Sequence, residues 1–169
     1  MNIIIRPWRN EDVDSLVKYA NNFKIARNLT NRYPYPYTRE DGIQFIQAAQ
    51  KEHPYNIFAI VVDEEAVGSI GIHIQDDIYC RNAELGYWLG EPLWGRGIVS
   101  DVVPEMVKYG FRTWNITRIF ARIIAENDAS RRVLEKSGFL KEAEFKKTIF
   151  KNGRFHDEIV YAIRRKEER

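Results

Sequence analysis

Apolar positions along the chain switch between two spacings, and the switches mark the elements. Asn2–Arg6 is rich in β-branched residues and is stopped by Pro7, which predicts a first strand; after Asn10-Glu-Asp, residues Val13, Leu16, Val17 and Ala20 recur at helical spacing. Thr38-Arg-Glu-Asp41 is a weaker form of a capping box and opens a second helix that runs to about Lys51. Between the two, Asn28–Thr38 carries Pro34 and Pro36, which turn the preceding residues away from helix, so it reads as a tyrosine-rich loop. From Ile57 the period is that of strands: Ile57–Val62, a turn at Asp63-Glu-Glu65, Ala66–Gln75 and Asn82–Leu89 predict an antiparallel meander.

The helical spacing returns with Val99, Val102, Val103, Met106 and Gly110, and that helix ends near Trp114. A strand at Arg118–Ala125 precedes a helix with Ala129, Val133 and Leu134 on one face, closed by Gly138. The last two strands, Leu140–Lys151 and Arg154–Arg165, are joined by Asn152-Gly153, a strong hairpin signal, and the Lys166–Arg169 tail is expected to be disordered. The order is β-α-α-β-β-β-α-β-α-β-β, in which strands come in runs as well as alternating with helices. That predicts an α+β (mixed α/β) fold, a mixed, mostly antiparallel sheet of about seven strands flanked by about four helices, in one domain over residues 1–169.

Composition narrows the function. The chain has 26 Lys+Arg against 24 Asp+Glu, too even a balance to point to nucleic acid or to a membrane surface. The single cysteine, Cys80, excludes an internal disulfide framework and a cysteine-based zinc cluster, and His53, His73 and His156 lack metal-ligand spacing, so no metal is expected. The N-terminal apolar run is too short for a signal peptide and no stretch approaches the ~18 apolar residues of a membrane span. A soluble cytoplasmic protein is the expectation.

Two segments carry candidate chemistry. Trp94-Gly-Arg-Gly-Ile-Val99 lies between a strand and a helix; Gly95 and Gly97 let backbone approach a ligand, and the N–H groups of the following helical turn form an anion site, although Gly-x-Gly is also a plain turn. The segment fits neither the Walker pattern nor the dinucleotide fingerprint. Downstream, Glu126-Asn127-Asp-Ala-Ser130 joins a strand to a helix carrying Arg131, with Asn127 or Asp128 as its cap.

The joint order of Ala83-Glu-Leu-Gly-Tyr-Trp-Leu89, Trp94-x-x-Gly-x-Val99, Glu126-Asn-x-x-Ser130 and Leu134-Glu-Lys-x-Gly-Phe139 resembles the GNAT superfamily of acyl-CoA-dependent N-acyltransferases. The resemblance spans nearly the whole chain, from Ile5-Arg-Pro7 to Asn152-Gly-x-x-x-Asp157 and Tyr161. Pro36-Tyr-Thr38, Leu134–Phe139 and His156-Asp157 resemble the ribosomal-protein N-terminal acetyltransferase branch. It implies acetyl-CoA as cosubstrate, with Trp88 and Leu89 pairing its pantetheine arm. Trp94, Gly95, Arg96, Gly97, Ile98, Val99 and Ser100 would hold the pyrophosphate, and Asn127, Ser130 and Arg131 would complete the cofactor contacts. A backbone N–H near Tyr87 would polarise the thioester carbonyl.

The resemblance also assigns Glu84 as general base and Ser130 as proton donor to the leaving thiolate; the bland readings are a surface glutamate and a first-turn helix serine. Gly86 and Gly90 suit a bulge and close approach, or a plain strand irregularity. His73 projects opposite to its apolar neighbours, as a structural or solvent histidine or as a reserve base, and Tyr33, Tyr35 and Tyr37 either wall an acceptor pocket or pack on the sheet. Trp94 and Val99 depart from the usual ends of the superfamily loop, and Leu134 stands where many members carry a tyrosine acid. The activity implied is direct, ternary-complex transfer of acetyl to a primary amine, a protein N-terminal α-amine first. A small amine as acceptor and a non-catalytic acyl-CoA sensor are the alternatives, and a monomer or homodimer is expected.

Overall fold

The β-branched runs form the strands the pattern predicts, and local capping fixes where the helices begin. A computed structural model describes residues 1–167; Glu168 and Arg169, the end of the tail expected to be disordered, lie outside the described residues. In chain order the elements are β1 (Ile3–Pro7), α1 (Val13–Ala20), α2 (Phe23–Ala26), α3 (Arg39–Ala49), β2 (Ile57–Val62), β3 (Glu65–Ile74), β4 (Asn82–Leu89), α4 (Ile98–Thr113), β5 (Arg118–Ile124), α5 (Asp128–Lys136), β6 (Leu140–Lys151) and β7 (Arg154–Arg164). The seven strands form one sheet in the order β1-β2-β3-β4-β5-β7-β6. The ladders are antiparallel except β4 with β5, which runs parallel with Asn82–Glu84 against Arg118–Phe120. Two bonds, from Gln75 N–H to Asn82 O and from Gly90 N–H to Val67 O, set β3 against β4 in one antiparallel register. In that register His73 stands opposite Glu84.

Corrections to the predicted elements are small and local. α2 is an additional helix of a single turn, held at its start by Asn22 Oδ1, which accepts the Lys24 N–H at 2.9 Å; one turn has no period to read. The first helix opens with a 3-10 turn at Asn10–Asp12, and β3 starts at Glu65 because the preceding turn needs only Asp63 and Glu64, both with positive φ. On α5, Leu134 is fully buried whereas Ala129 is exposed, so the apolar face begins a turn later than the spacing suggests.

The chain divides into two compact units, Met1–Gly71 with Tyr87–Val102, and Ile72–Gly86 with Val103–Arg169. In the first, Trp8, Val13, Leu16, Tyr37, Ile46, Ala59 and Val61 pack in one core. Beside it Arg6 donates two hydrogen bonds of 2.8 Å to Asp12, a pair almost closed to solvent. Burial alone would raise the Asp12 carboxyl, but the bonds from Arg6 and the Arg9 backbone prevail and hold it below the ordinary value of 3.8. Asp12→Ala leaves the largely buried Arg6 charge with the Pro7 carbonyl as an acceptor but without its counter-ion, so urea melts at neutral pH should show a loss of about 3 kcal/mol. Because the folded pKa is depressed, the wild type keeps this stabilisation above the ordinary carboxylate pKa and loses it as pH falls through the lowered value.

In the second unit the C-terminal half of α4 lies on the sheet: a Cβ at Gly110 would meet Ile72 Cδ1 at 2.6 Å and Ile119 Cδ1 at 3.3 Å. That contact buries one face, with Ile72, Ala83, Leu85, Ile119, Ala121 and Ile123. The alternate residues His73, Asn82, Glu84, Gly86, Phe120 and Arg122 therefore occupy the open face.

Candidate active site

In the first unit the loop after β4 turns through two glycines into α4. A 3-10 turn at Glu91–Leu93 leads into it, and Glu91 accepts hydrogen bonds from Lys24 and Asn22, which hold its carboxyl below the ordinary value. Trp94 donates its indole N–H to Leu89 O at 2.7 Å. Gly95 and Gly97 have φ of +76° and +78°, and a Cβ on either would meet nothing within 4 Å. These glycines are thus required by backbone conformation, not by crowding within the protein. The Asp101 N–H donates to Gly97 O, so the N–H groups of Ile98, Val99 and Ser100 stand ahead of the first intrahelical donor, where the helix itself offers no acceptor. Ile98 anchors the turn with a buried side chain, Val99 and Ser100 are half-buried, and Arg96 is exposed.

Trp88, half-buried, meets the edge of Tyr33 at a centroid distance of 6.0 Å, and Leu89 is buried with its carbonyl taken by Trp94. Tyr87 is half-buried between Gly86 and Trp88 on β4. Of the loop tyrosines, Tyr37 is buried and Tyr33 donates its hydroxyl to Ala20 O at 2.8 Å; burial raises the pKa of both hydroxyls. These two take the packing alternative. Tyr35 alone of the three is exposed, tilted against Phe23 at 5.6 Å.

The second unit holds a charged cluster around one carboxylate, Glu84, on the open sheet face. Arg122 donates from Nε and Nη2 to Glu84 Oε2, at 3.0 and 2.6 Å. Both bonds end on one oxygen, which fixes the carboxylate and leaves Oε1 to meet a proton or a water. His73, across the strand from Glu84, is open on one side, while the protein packed against the other desolvates the imidazole and lowers its pKa; the negative charge of Glu84 opposes the shift without reversing it. His73 is accordingly neutral at neutral pH and able to accept a proton. Arg122 is the member of this cluster that sequence reasoning missed. Its signal was the alternation of Arg118, Phe120 and Arg122 on one face of β5.

At the start of α5, Asn127 Oδ1 accepts the Ser130 N–H at 3.2 Å, so the cap is real and the Asn127 amide N–H₂ is what remains to donate outward. Ser130 is half-buried in the same first turn. Arg131 donates to Ala125 O and pairs with Asp128, while its buried Nε has no partner among the described residues. Leu134 is fully buried and takes no part in chemistry. Tyr161 donates its hydroxyl to Glu135 at 2.7 Å, and burial with that bond pushes its pKa up to about 12. The structure thus groups Trp94–Ser100 in one loop, Glu84, His73 and Arg122 on one face, and Asn127, Ser130 and Arg131 in one helical turn. Among the described residues no group of His, Cys, Asp or Glu is arranged to hold a metal, and no helix is long and apolar enough to cross a membrane.

Residues 2–140 match the family described as acetyltransferase (GNAT) domain. The N-acetyltransferase p20 of Bacillus licheniformis is 31% identical over 98% of this chain and 94% of its own length. The ribosomal-protein-serine acetyltransferase of Escherichia coli is 27% identical over 63% of this chain and 59% of its own. Among solved structures, RimL, a ribosomal L7/L12 alpha-N-protein acetyltransferase in complex with coenzyme A, superposes with a TM-score of 0.86 at 24% identity, covering 97% of this chain and 94% of that one.

Proposed function

From the premise that this chain belongs to the GNAT acetyltransferase family and is an acetyl-CoA-dependent N-acetyltransferase, we propose that its acceptor is the α-amine of a protein N-terminus. The observation that carries the reading is the open-face cluster of Glu84, held by Arg122 and faced by a neutral His73. Such a face offers a carboxylate and an imidazole as proton acceptors. An α-amine of pKa ~8 is already about one-tenth neutral at pH 7, whereas a lysine amine of pKa ~10.4 is neutral at well under a tenth of a percent. The α-amine is the acceptor that so modest a base can serve. The E. coli relative that acts on a ribosomal-protein serine supports the same class.

The residues fit acetyl-CoA. Three N–H groups without helical acceptors at Ile98, Val99 and Ser100, on a turn that two positive-φ glycines shape, suit its pyrophosphate. In the second unit, Asn127 and Arg131 offer donors suited to an anion or an amide. The bound cosubstrate supplies an acetyl thioester, electrophilic enough for an amine to attack without a covalent enzyme intermediate. Glu84 Oε1 takes the amine proton, directly or through water, while Arg122 keeps the carboxylate aimed. Ser130 holds a hydroxyl proton in the first turn of α5 and serves as the acid, since Leu134 leaves no tyrosine at that position.

Two measurements check this. Acetyl-CoA at ~100 times its Kd should stabilise the protein by about 2.7 kcal/mol, a rise in Tm of roughly 5–10 °C that ATP and NAD do not reproduce. A peptide with a free N-terminal serine should gain one acetyl group by mass spectrometry. Faster acetylation of an N-terminally blocked lysine peptide or of a polyamine would overturn the α-amine assignment.

A further inference from the structure

Eight of the ten glycines explain themselves by a close neighbour or a positive φ, and Gly71 is buried within β3. Gly42, Gly68, Gly90 and Gly110 lie against neighbouring atoms that a Cβ would strike or press, and Gly95, Gly97, Gly138 and Gly153 have positive φ. Gly86 has neither reason. Its φ lies outside the left-handed region, and a Cβ there would find nothing within 4 Å. Inside a strand such a glycine only weakens the fold, so the space above it serves something that is not this protein.

What borders that space is the cluster described above. Gly86 follows Glu84 by two positions in β4, about 6.7 Å along the strand and on the same face, while Ala83 and Leu85 point to the buried side. Asn82, His73 and Arg122 complete a polar rim around Glu84. We infer that the bare backbone at Gly86 is an acceptor notch: an amine bound at Glu84 has its own carbon lying over residue 86, so the missing side chain decides how large a substituent on that carbon is admitted. With a polar rim on one side and no protein atom within 4 Å of where a Cβ would stand, the notch admits amines whose carbon carries a small or hydroxylated group, such as an N-terminal glycine, alanine or serine, only while residue 86 has no side chain. The inference rests on the reading of Glu84 as the base and extends it from proton transfer to acceptor choice.

The test uses Gly86→Ala and Gly86→Val with peptides that bear a free N-terminal glycine or serine. Because a strand position with ordinary φ loses unfolded-state freedom when a Cβ is added, Gly86→Ala should melt no lower than wild type and up to roughly 4 °C higher. The Kd for acetyl-CoA, measured by calorimetry without acceptor, should stay within about twofold. KM for the serine peptide should rise about tenfold or more in Gly86→Ala and further in Gly86→Val, whereas the glycine peptide should change less than about threefold in Gly86→Ala. Calorimetric binding of the serine peptide to the enzyme saturated with CoA should weaken in the same order. Equal losses on both peptides, unchanged peptide constants, or a raised acetyl-CoA Kd with unchanged peptide KM would each overturn the notch. Glu84→Gln decides the base separately: a variant that keeps its turnover removes that reading, while the size pattern of the Gly86 variants still decides the notch.

Discussion

Glu84→Gln should lower kcat by about 10²–10⁴ and leave acetyl-CoA affinity within about twofold, because the substitution removes a proton acceptor and almost nothing else. Glutamine has the same reach, and its amide oxygen still accepts from Arg122. The ion pair it weakens is partly solvated, with side-chain exposures of 53% for Arg122 and 28% for Glu84, so its contribution to stability is at most about 1 kcal/mol and the melt should barely move. The pH profile separates the role from a general loss of fit. An α-amine with pKa ~8 becomes free base unaided above that pH, so the defect should shrink as pH rises from about 7 to about 9.5. A defect of the same size at both ends would assign Glu84 to positioning the acceptor, and a variant with wild-type turnover would pass the base role to His73, the neutral imidazole across the strand.

The readings from sequence that held were the ones fixed by residues close together in the chain. Ile57–Val62 and Asn82–Leu89 are strands with the predicted ends because β-branched and alternating runs meet turn residues at both limits. Thr38 and Asp41 cap α3 reciprocally, and Asn152-Gly153 turns with φ of +51° and +73° as such a hairpin demands. The Gly-x-Gly segment was legible as a turn between strand and helix; the sequence suggests close approach to a ligand, whereas the φ values show that both glycines are needed simply to make the turn.

What escaped is long-range. Periodicity assigns Arg122 to a face of β5 but does not say that Glu84 is its neighbour, because the pairing of β4 with β5 brings together residues 38 apart in sequence. The same limit applies to the loop tyrosines. Pro34 and Pro36 announce a loop, but the burial of Tyr33 and Tyr37 depends on Ala20 and Asn21, whose carbonyl and side-chain oxygens accept the Tyr33 hydroxyl and the Tyr37 N–H. Gly86 shows the complementary case. It could be a bulge or an approach from sequence alone, and only the empty space above it separates a packing reason from a functional one.

Gly97→Val should raise the Kd for acetyl-CoA about 10- to 100-fold. A β-branched residue at φ of +78° is strained, and with nothing within 4 Å to hold it there, the loop relaxes by rotating the peptide toward negative φ. That rotation turns the Ile98 N–H away from the outward direction it shares with Val99 and Ser100. The loss of one hydrogen bond to a charged phosphate is worth about 1.5–3 kcal/mol, which sets the size of the effect. Strain alone would also lower Tm, so the comparison is with Gly153→Val in the β6–β7 turn, where φ is +73° and a Cβ likewise meets nothing within 4 Å. Both variants should melt earlier by similar amounts, but Gly153→Val should bind acetyl-CoA as wild type does. Equal Kd values in the two variants would mean that the turn into α4 is shaped for the fold and that the pyrophosphate is held elsewhere. A selective loss at Gly97 would instead tie this turn to the cosubstrate through a backbone angle that no side chain reports.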